Sequence, residues 1–175
     1  MAIRLHIGGR EAREGWTLLN AQPGPDVDIV GDFRDLSQFK DGGVVEIYAS
    51  HVLEHLAYSR ETLPALKECH RILMPGGRLM LAVPDMEAIC RLMVHEAATV
   101  QVQYQLMRIL FGGQTDEWDY HKAGFTPDLL AGFLGNAGFQ EVHRVESFGL
   151  FDDTSEIRVG DQRISLNVVA RKTAG

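Results

Sequence analysis

The chain has 175 residues, 45% hydrophobic and 23% charged, which suits one globular domain with a substantial core and leaves little room for two. Its 17 Lys and Arg stand against 24 Asp and Glu, a formal charge of −7 with no basic cluster, which argues against DNA, RNA and an anionic membrane surface as main partners. The two cysteines, Cys69 and Cys90, cannot make a disulfide framework and are expected as buried free thiols in a reducing cytoplasm. The first residues lack the apolar core of a signal peptide, and no apolar run of about 18 residues occurs later, so a soluble cytoplasmic protein is expected.

Short apolar runs bounded by Gly, Pro or Asp read as strands at 3–7, 17–21, 27–31, 44–49 and 78–83, the kind buried on both faces of a parallel sheet. Between the last two lies a helix with Leu63, Leu66, His70 and Leu73 on one face. Ser59 or Thr62 would cap it, Pro64 favours the later start, and Met74-Pro75-Gly76-Gly77 stops it. Helices follow at 86–95 and 100–110, closed by Gly112-Gly113, and then a polar loop spans 114–122. A further helix opens on Thr126-Pro127 and closes at Asn136-Ala137-Gly138. Two final strands, 140–148 and 164–171, have only the turn-like Asp152-Asp153-Thr154-Ser155 between them and should be antiparallel. The expected architecture is one α/β domain over 1–175, with a mostly parallel Rossmann-like sheet, a C-terminal antiparallel hairpin and a helix-and-loop lid at 95–125.

Ligands in open α/β sheets bind beyond the carboxyl ends of the strands. That rule nominates the loops at Gly8-Gly9-Arg10, Asn20-Ala21, Asp32-Phe33, Ser50-His51 and Pro84-Asp85. The Gly8-Gly9 pair is a turn and lacks the three spaced glycines of a dinucleotide fingerprint, and no Gly-Lys-Ser/Thr phosphate loop exists. His51-Val52-Leu53-Glu54-His55 also fits His-x-x-Glu-His, in which two histidines on a helix bind zinc and the glutamate acts as base. Such a site needs a third ligand, and the strand before it puts the segment at the ligand-binding end of the sheet instead of inside a long buried helix. A zinc hydrolase is therefore the remote alternative, and no metal is assigned.

The run from Val44 through Ser50-His51-Val52-Leu53-Glu54-His55-Leu56, continued by Ala65-Leu66-Lys67-Glu68-Cys69-His70-Arg71-Ile72-Leu73-Met74-Pro75-Gly76-Gly77-Arg78-Leu79, resembles class I S-adenosylmethionine-dependent methyltransferases. Gly31-Asp32-Phe33-Arg34-Asp35-Leu36 and Leu5-His6-Ile7-Gly8-Gly9 extend the likeness, as does the reversed strand at the C-terminus. The Gly15-Trp16 step and the segment from His121 to Phe125 point to short, predicted type-11-like members. The resemblance implies S-adenosylmethionine as cofactor. Gly8 and Gly9 would let the backbone approach its methionine part, Asn20 would meet the ribose, Asp32 and Phe33 the adenine, and Ser50 and His51 the region of the methyl group. Asn20 stands where relatives carry an acid, which implies weaker ribose binding. Residues 10–16 are also short for a first crossover helix, which usually takes a dozen residues or more.

The implied reaction is in-line displacement at the sulfonium methyl, with no metal required in principle and much of the rate coming from near-attack geometry. His51, His55 and His121 are the candidate bases, with Tyr120 a positioning group. The plainer roles are packing under the next helix for His55, loop anchoring for His121, a core position for His70 and a surface charge for Lys122. The implied acceptor is a small molecule, a glycan or a lipid precursor. The second alternative is a catalytically inactive, cofactor-binding interaction protein, with Trp118, Tyr120 and Phe125 as interface in place of lid. The apolar segment 100–111 would then pair two copies in a homodimer.

Overall fold

A computed structural model of the protein describes residues 3–173. Seven strands form one sheet: β1 (Ile3–Ile7), β2 (Thr17–Asn20), β3 (Ile29–Val30), β4 (Val44–Ser50), β5 (Leu73–Pro84), β6 (Gln140–Val145) and β9 (Ser165–Arg171). Their order is β3-β2-β1-β4-β5-β9-β6. The first five are parallel, and β9 runs antiparallel between β5 and β6. The helices are α1 (Thr62–Ile72), α2 (Met86–Met93), α3 (Val100–Phe111) and α4 (Pro127–Asn136). Asp85, Thr99 and Thr126 cap the last three by accepting from the amides of Ala88, Val102 and Leu129, and Pro127 fills the first turn of α4. No described helix is long and apolar enough to cross a membrane.

Several boundaries differ from the sequence reading. The third strand shrinks to two residues, and α1 is capped by neither Ser59 nor Thr62, since it starts at Thr62 without a side-chain cap. Strand β5 begins before the Pro-Gly-Gly segment. Val44 already pairs with Leu73, pairing resumes at Glu46 with Arg78, and the residues between bulge outward. Gly77 must be glycine there, because a Cβ would lie 2.9 Å from the Met74 carbonyl oxygen and 3.0 Å from that of Val45. A small hairpin, β7 (Arg158–Val159) with β8 (Gln162–Arg163), fills out the link between β6 and β9 that was read as a simple turn. Cys69 is buried as expected, whereas Cys90 is exposed on α2.

Alternation along the strands sends two different sets of side chains to the two faces of the sheet. Leu5, Ile7, Leu19, Ile47, Ala49, Leu79, Leu81, Leu166 and Val168 join the main core, with Leu66 and Cys69 of α1, Leu130 and Leu134 of α4, and Phe33, Leu36 and Phe39 after β3. On the opposite face no helix fills the 10–16 link between β1 and β2. Leu18, Tyr48 and Met80 there are covered by Trp16 from that link and by Phe148, Leu150 and Phe151 from the segment after β6. The rings interlock. His6 lies 4.2 Å from Phe151 and 5.0 Å from Tyr48 between centroids, Tyr48 stands edge-on to Phe148 at 5.4 Å, and the Arg13 guanidinium sits 5.2 Å above Phe151. Asp153 fixes this cover by accepting from Tyr48 Oη at 2.8 Å and Ser50 Oγ at 3.2 Å. Toward the other end of the strands the same face carries Arg4, Glu46 and Arg78, with Glu46 bridging the two arginines at 3.0 and 2.7 Å. The expectation of strands buried on both faces therefore fails for this half, where the ion pairs meet solvent.

His6 gives the aromatic cover a pH signature. Burial pushes its imidazole down to about 4 from an ordinary 6.5, outweighing the upward pull of Asp153. The unfolded chain takes up the proton first, so stability attributable to His6 falls as pH drops from about 6.5 toward about 4. Between pH 7.5 and 4.5 the loss should be roughly 2–3 kcal/mol. Urea unfolding at the two pH values should show a smaller acid loss in His6→Phe than in the wild type. Equal losses in both proteins would contradict it.

Candidate functional site

The carboxyl ends of β1 to β4 open into a cavity of about 240 Å³. Gly8, Asn20, Asp32, Phe33, Ser50 and His51 line it, together with His55 and Tyr120, so most residues nominated from the sequence meet around one space. Gly9 does not reach it. That residue is buried toward the aromatic face, where a Cβ would come within 2.5 Å of the His6 ring. His121 lines an adjoining cavity of about 300 Å³, which shares Ser50, His51 and His55 with the first. The Pro84-Asp85 loop lines neither cavity; Asp85 is buried as the cap of α2 and as the partner of Arg144 at 2.8 Å.

Gly8 closes the end of β1 with φ 81°, a left-handed conformation, and a Cβ there would run into Val52. Its amide donates to the Leu19 carbonyl at 2.7 Å. The buried amide of Asn20 donates to the carbonyls of Gly8 at 3.1 Å and Gly9 at 3.0 Å, while its Oδ1 accepts from the Gln22 amide at 2.9 Å. Asn20 thus holds the glycine turn in place. Both its donors are committed to the protein, which explains physically why an amide and not an acid occupies the position: a carboxylate would face two carbonyl oxygens.

Asp32 receives a fork from Arg34, whose Nε lies 2.9 Å from both carboxylate oxygens, and accepts from the Arg34 backbone amide at 2.8 Å. These bonds hold the carboxyl below the usual range. Its side chain keeps 28% exposure and so retains free lone pairs toward the cavity. Phe33 is buried beneath it and still forms part of the wall.

His51 follows β4 with φ 52°, an uncommon conformation for a side chain of this size. Its Nε2 meets Ser165 Oγ at 2.7 Å. Because Ser165 already donates to the Thr154 carbonyl, at 2.7 Å, the His51 proton belongs on Nε2 and Nδ1 is left as an acceptor. That nitrogen faces Glu54 Oε1 at 3.3 Å. Glu54 sits in the 3-10 turn Leu53–His55 with no exposed surface, and neither carboxylate oxygen has a hydrogen-bond partner. Burial drives its carboxyl up to about 8. His121 Nε2 stands 3.9 Å away and its ring meets His55 edge-on at 4.7 Å. Desolvation holds His51 and His121 near 4 and lowers His55 as well, so all three imidazoles are neutral near pH 7. The zinc-peptidase arrangement is not formed: His51 lies outside the short turn that carries Glu54 and His55, and its outer nitrogen is tied to Ser165.

The segment 112–122 closes over these groups. Asp119 organises it by accepting from the Gly113 amide at 3.2 Å and Thr115 Oγ at 2.8 Å. The amides of Lys122 and Ala123 donate to the Glu54 carbonyl at 2.7 and 3.1 Å. Trp118 and Tyr120, both substantially exposed, stand at the cavity with Lys122. Sequence reading placed Arg10 in a nominated loop without giving it a role, and it missed Arg34 as a wall residue and Glu54 as the centre of a histidine cluster. A carboxylate between two histidines was visible, but its burial comes from packing.

Asn20→Asp is expected to lower stability by about 1–3 kcal/mol, because two donors vanish and a carboxylate is left against buried carbonyls. Urea unfolding measures this, and a variant as stable as the wild type would contradict the role given to Asn20.

Among known proteins, a family described as a methyltransferase domain matches residues 12–81. No curated protein sequence matches significantly. An S-adenosylmethionine-dependent methyltransferase from Archaeoglobus fulgidus superposes with a TM-score of 0.63 at 14% identity, covering 98% of this chain and 86% of that one. The 1,6-didemethyltoxoflavin-N1-methyltransferase of Burkholderia thailandensis, solved with its substrate and S-adenosylhomocysteine, gives 0.62 at 16% identity, over 99% and 72%. A Thermotoga maritima S-adenosylmethionine-dependent methyltransferase gives 0.58 at 15% identity, over 99% and 83%. Against several larger structures of this fold the chain spans only 47% to 62% of the length. The strand order, the reversed β9 and the methyltransferase-domain match agree with one another.

Proposed function

We propose that the chain, whose residues 12–81 match a methyltransferase domain, is a class I S-adenosylmethionine-dependent methyltransferase that transfers a methyl group to a small-molecule, glycan or lipid-precursor acceptor. The observation that carries this reading is the convergence of Gly8, Asn20, Asp32, Phe33, Ser50 and His51 on one cavity at the carboxyl ends of the parallel strands. The cofactor would supply an electrophilic methyl carbon on a sulfonium. Everything else falls to the chain.

In this reading Gly8 gives close backbone approach, and the ionised Asp32 accepts from the adenine amine with Phe33 beside the ring. Arg10 and Lys122 supply positive charge at the same cavity, taking the part that a helix N-terminus would play for the methionine carboxylate. Asn20 acts on the cofactor through the loop it holds. Ser50 and His51 border the region of the methyl group. Residues 95–125 act as a lid, with Trp118 and Tyr120 positioning the acceptor. The acceptor's lone pair attacks the methyl carbon, the carbon–sulfur bond breaks with its electrons passing to sulfur, and the acceptor proton leaves to a base. His51, His55 and His121 are the candidates for that duty; burial keeps all three neutral near pH 7, with a free lone pair but lowered basicity.

Calorimetric titration with S-adenosylhomocysteine tests the reading. Saturable binding is expected, weakened about tenfold in Asp32→Ala through loss of one charge-assisted hydrogen bond. Absence of heat and of any thermal shift at millimolar ligand would overturn cofactor binding. Unchanged affinity in Asp32→Ala would move the adenine elsewhere.

A further inference from the structure

Among the described residues, Glu54 is a carboxylate buried with nothing to answer it. It has no exposed surface, both its oxygens lack a hydrogen-bond partner, and imidazole nitrogens of His51 and His121 stand 3.3 and 3.9 Å from Oε1. A buried carboxylate left in this state costs several kcal/mol unless a proton or a cation answers it. The surroundings fit a cation. Glu54, His55 and His121 each bring one ligand atom into a group whose members all lie within 4.8 Å of one another. His55 Nδ1 contacts the Tyr120 carbonyl at 3.2 Å, which places the proton on that nitrogen and leaves Nε2 free as a ligand. His121 Nε2 already points at Glu54 Oε1 across 3.9 Å.

We propose that Glu54, His55 and His121 bind a divalent transition-metal ion of the zinc type, at the junction of the two cavities. Two imidazoles and one carboxylate form a donor set that such ions favour, and three protein ligands leave coordination positions open. Neighbouring ligand atoms around tetrahedral zinc lie roughly 3.3 Å apart, so the three side chains need to close by about an ångström. His55 lines both cavities and His121 the second, so an open position faces the space where an acceptor would bind. An ion there would hold an acceptor through an oxygen or nitrogen atom. That last role rests on the methyl-transfer reading, but binding of the ion does not. His51 lies outside the ligand set, held by Ser165 and bordering it through Glu54, so with the ion bound His55 and His121 serve as ligands and His51 alone remains as the candidate base.

The test uses the whole protein, freed of metal by chelator and dialysis and titrated with Co²⁺ without cofactor. Visible d–d bands that saturate at one Co²⁺ per chain and vanish on adding Zn²⁺ are expected. Glu54→Gln and His121→Ala should each weaken binding at least tenfold, while His95→Ala, remote from the cluster, should not. Circular dichroism checks that each variant folds, and His121→Ala carries the result if Glu54→Gln does not. No saturable bands, or equal binding by wild type and His121→Ala, would overturn the metal site. Failure of S-adenosylhomocysteine to bind would overturn methyl transfer instead, so the two failures are separable.

Discussion

In a parallel pair the chain leaving the top of one strand must return to the bottom of the next, and a helix usually fills that return. Between β1 and β2 only residues 8–16 are available, and they run without a helix. Two demands follow. The sheet face normally covered by that helix has to be buried by something else, and the glycine turn has to be held without a helix behind it. Much that is particular to this protein answers one demand or the other.

The first is met by aromatic residues from distant parts of the chain. Trp16 ends the short link, and Phe148 and Phe151 arrive from the segment after β6, packing on Tyr48 and His6. Asp153 fastens that segment to Tyr48 and Ser50, so the cover of the sheet and the wall of the functional site share a carboxylate. The second is met by Asn20, whose amide satisfies the carbonyls of Gly8 and Gly9. Asn20, which the sequence resemblance reads as a weakened ribose ligand, has a structural task in holding the glycine turn where no helix stands behind it. The geometry of the candidate site and the coverage of the sheet are therefore coupled: the loop that buries Tyr48 also carries Thr154, whose carbonyl sets the tautomer of His51 through Ser165.

What could be read from the sequence followed the locality of the interactions. The β4–α1–β5 unit is contiguous and strongly patterned, so its elements and the Ser50-His51 edge were legible to within a few residues. The capped start of α4 at Thr126-Pro127 was legible for the same reason. The second face was not, because its cover joins residues about a hundred positions apart, as in the Tyr48–Asp153 bond. One clue was present: Phe148, Leu150 and Phe151 crowd into a segment otherwise rich in turn formers. The state of Glu54 was equally hidden. Its sequence context shows a carboxylate between histidines, but only packing reveals that it is buried without a hydrogen-bond partner and that His121, far along the chain, closes the cluster.

The central proposal is that a cofactor binds at the ends of β1 to β4 although no helix stands between β1 and β2. Hydrogen–deuterium exchange with and without S-adenosylhomocysteine addresses it directly. Protection is expected in peptides covering Gly8 to Arg10, Gly31 to Arg34 and Ser50 to Val52. Protection absent from all three, or confined to the exposed arginine face around Arg4 and Arg78, would contradict it.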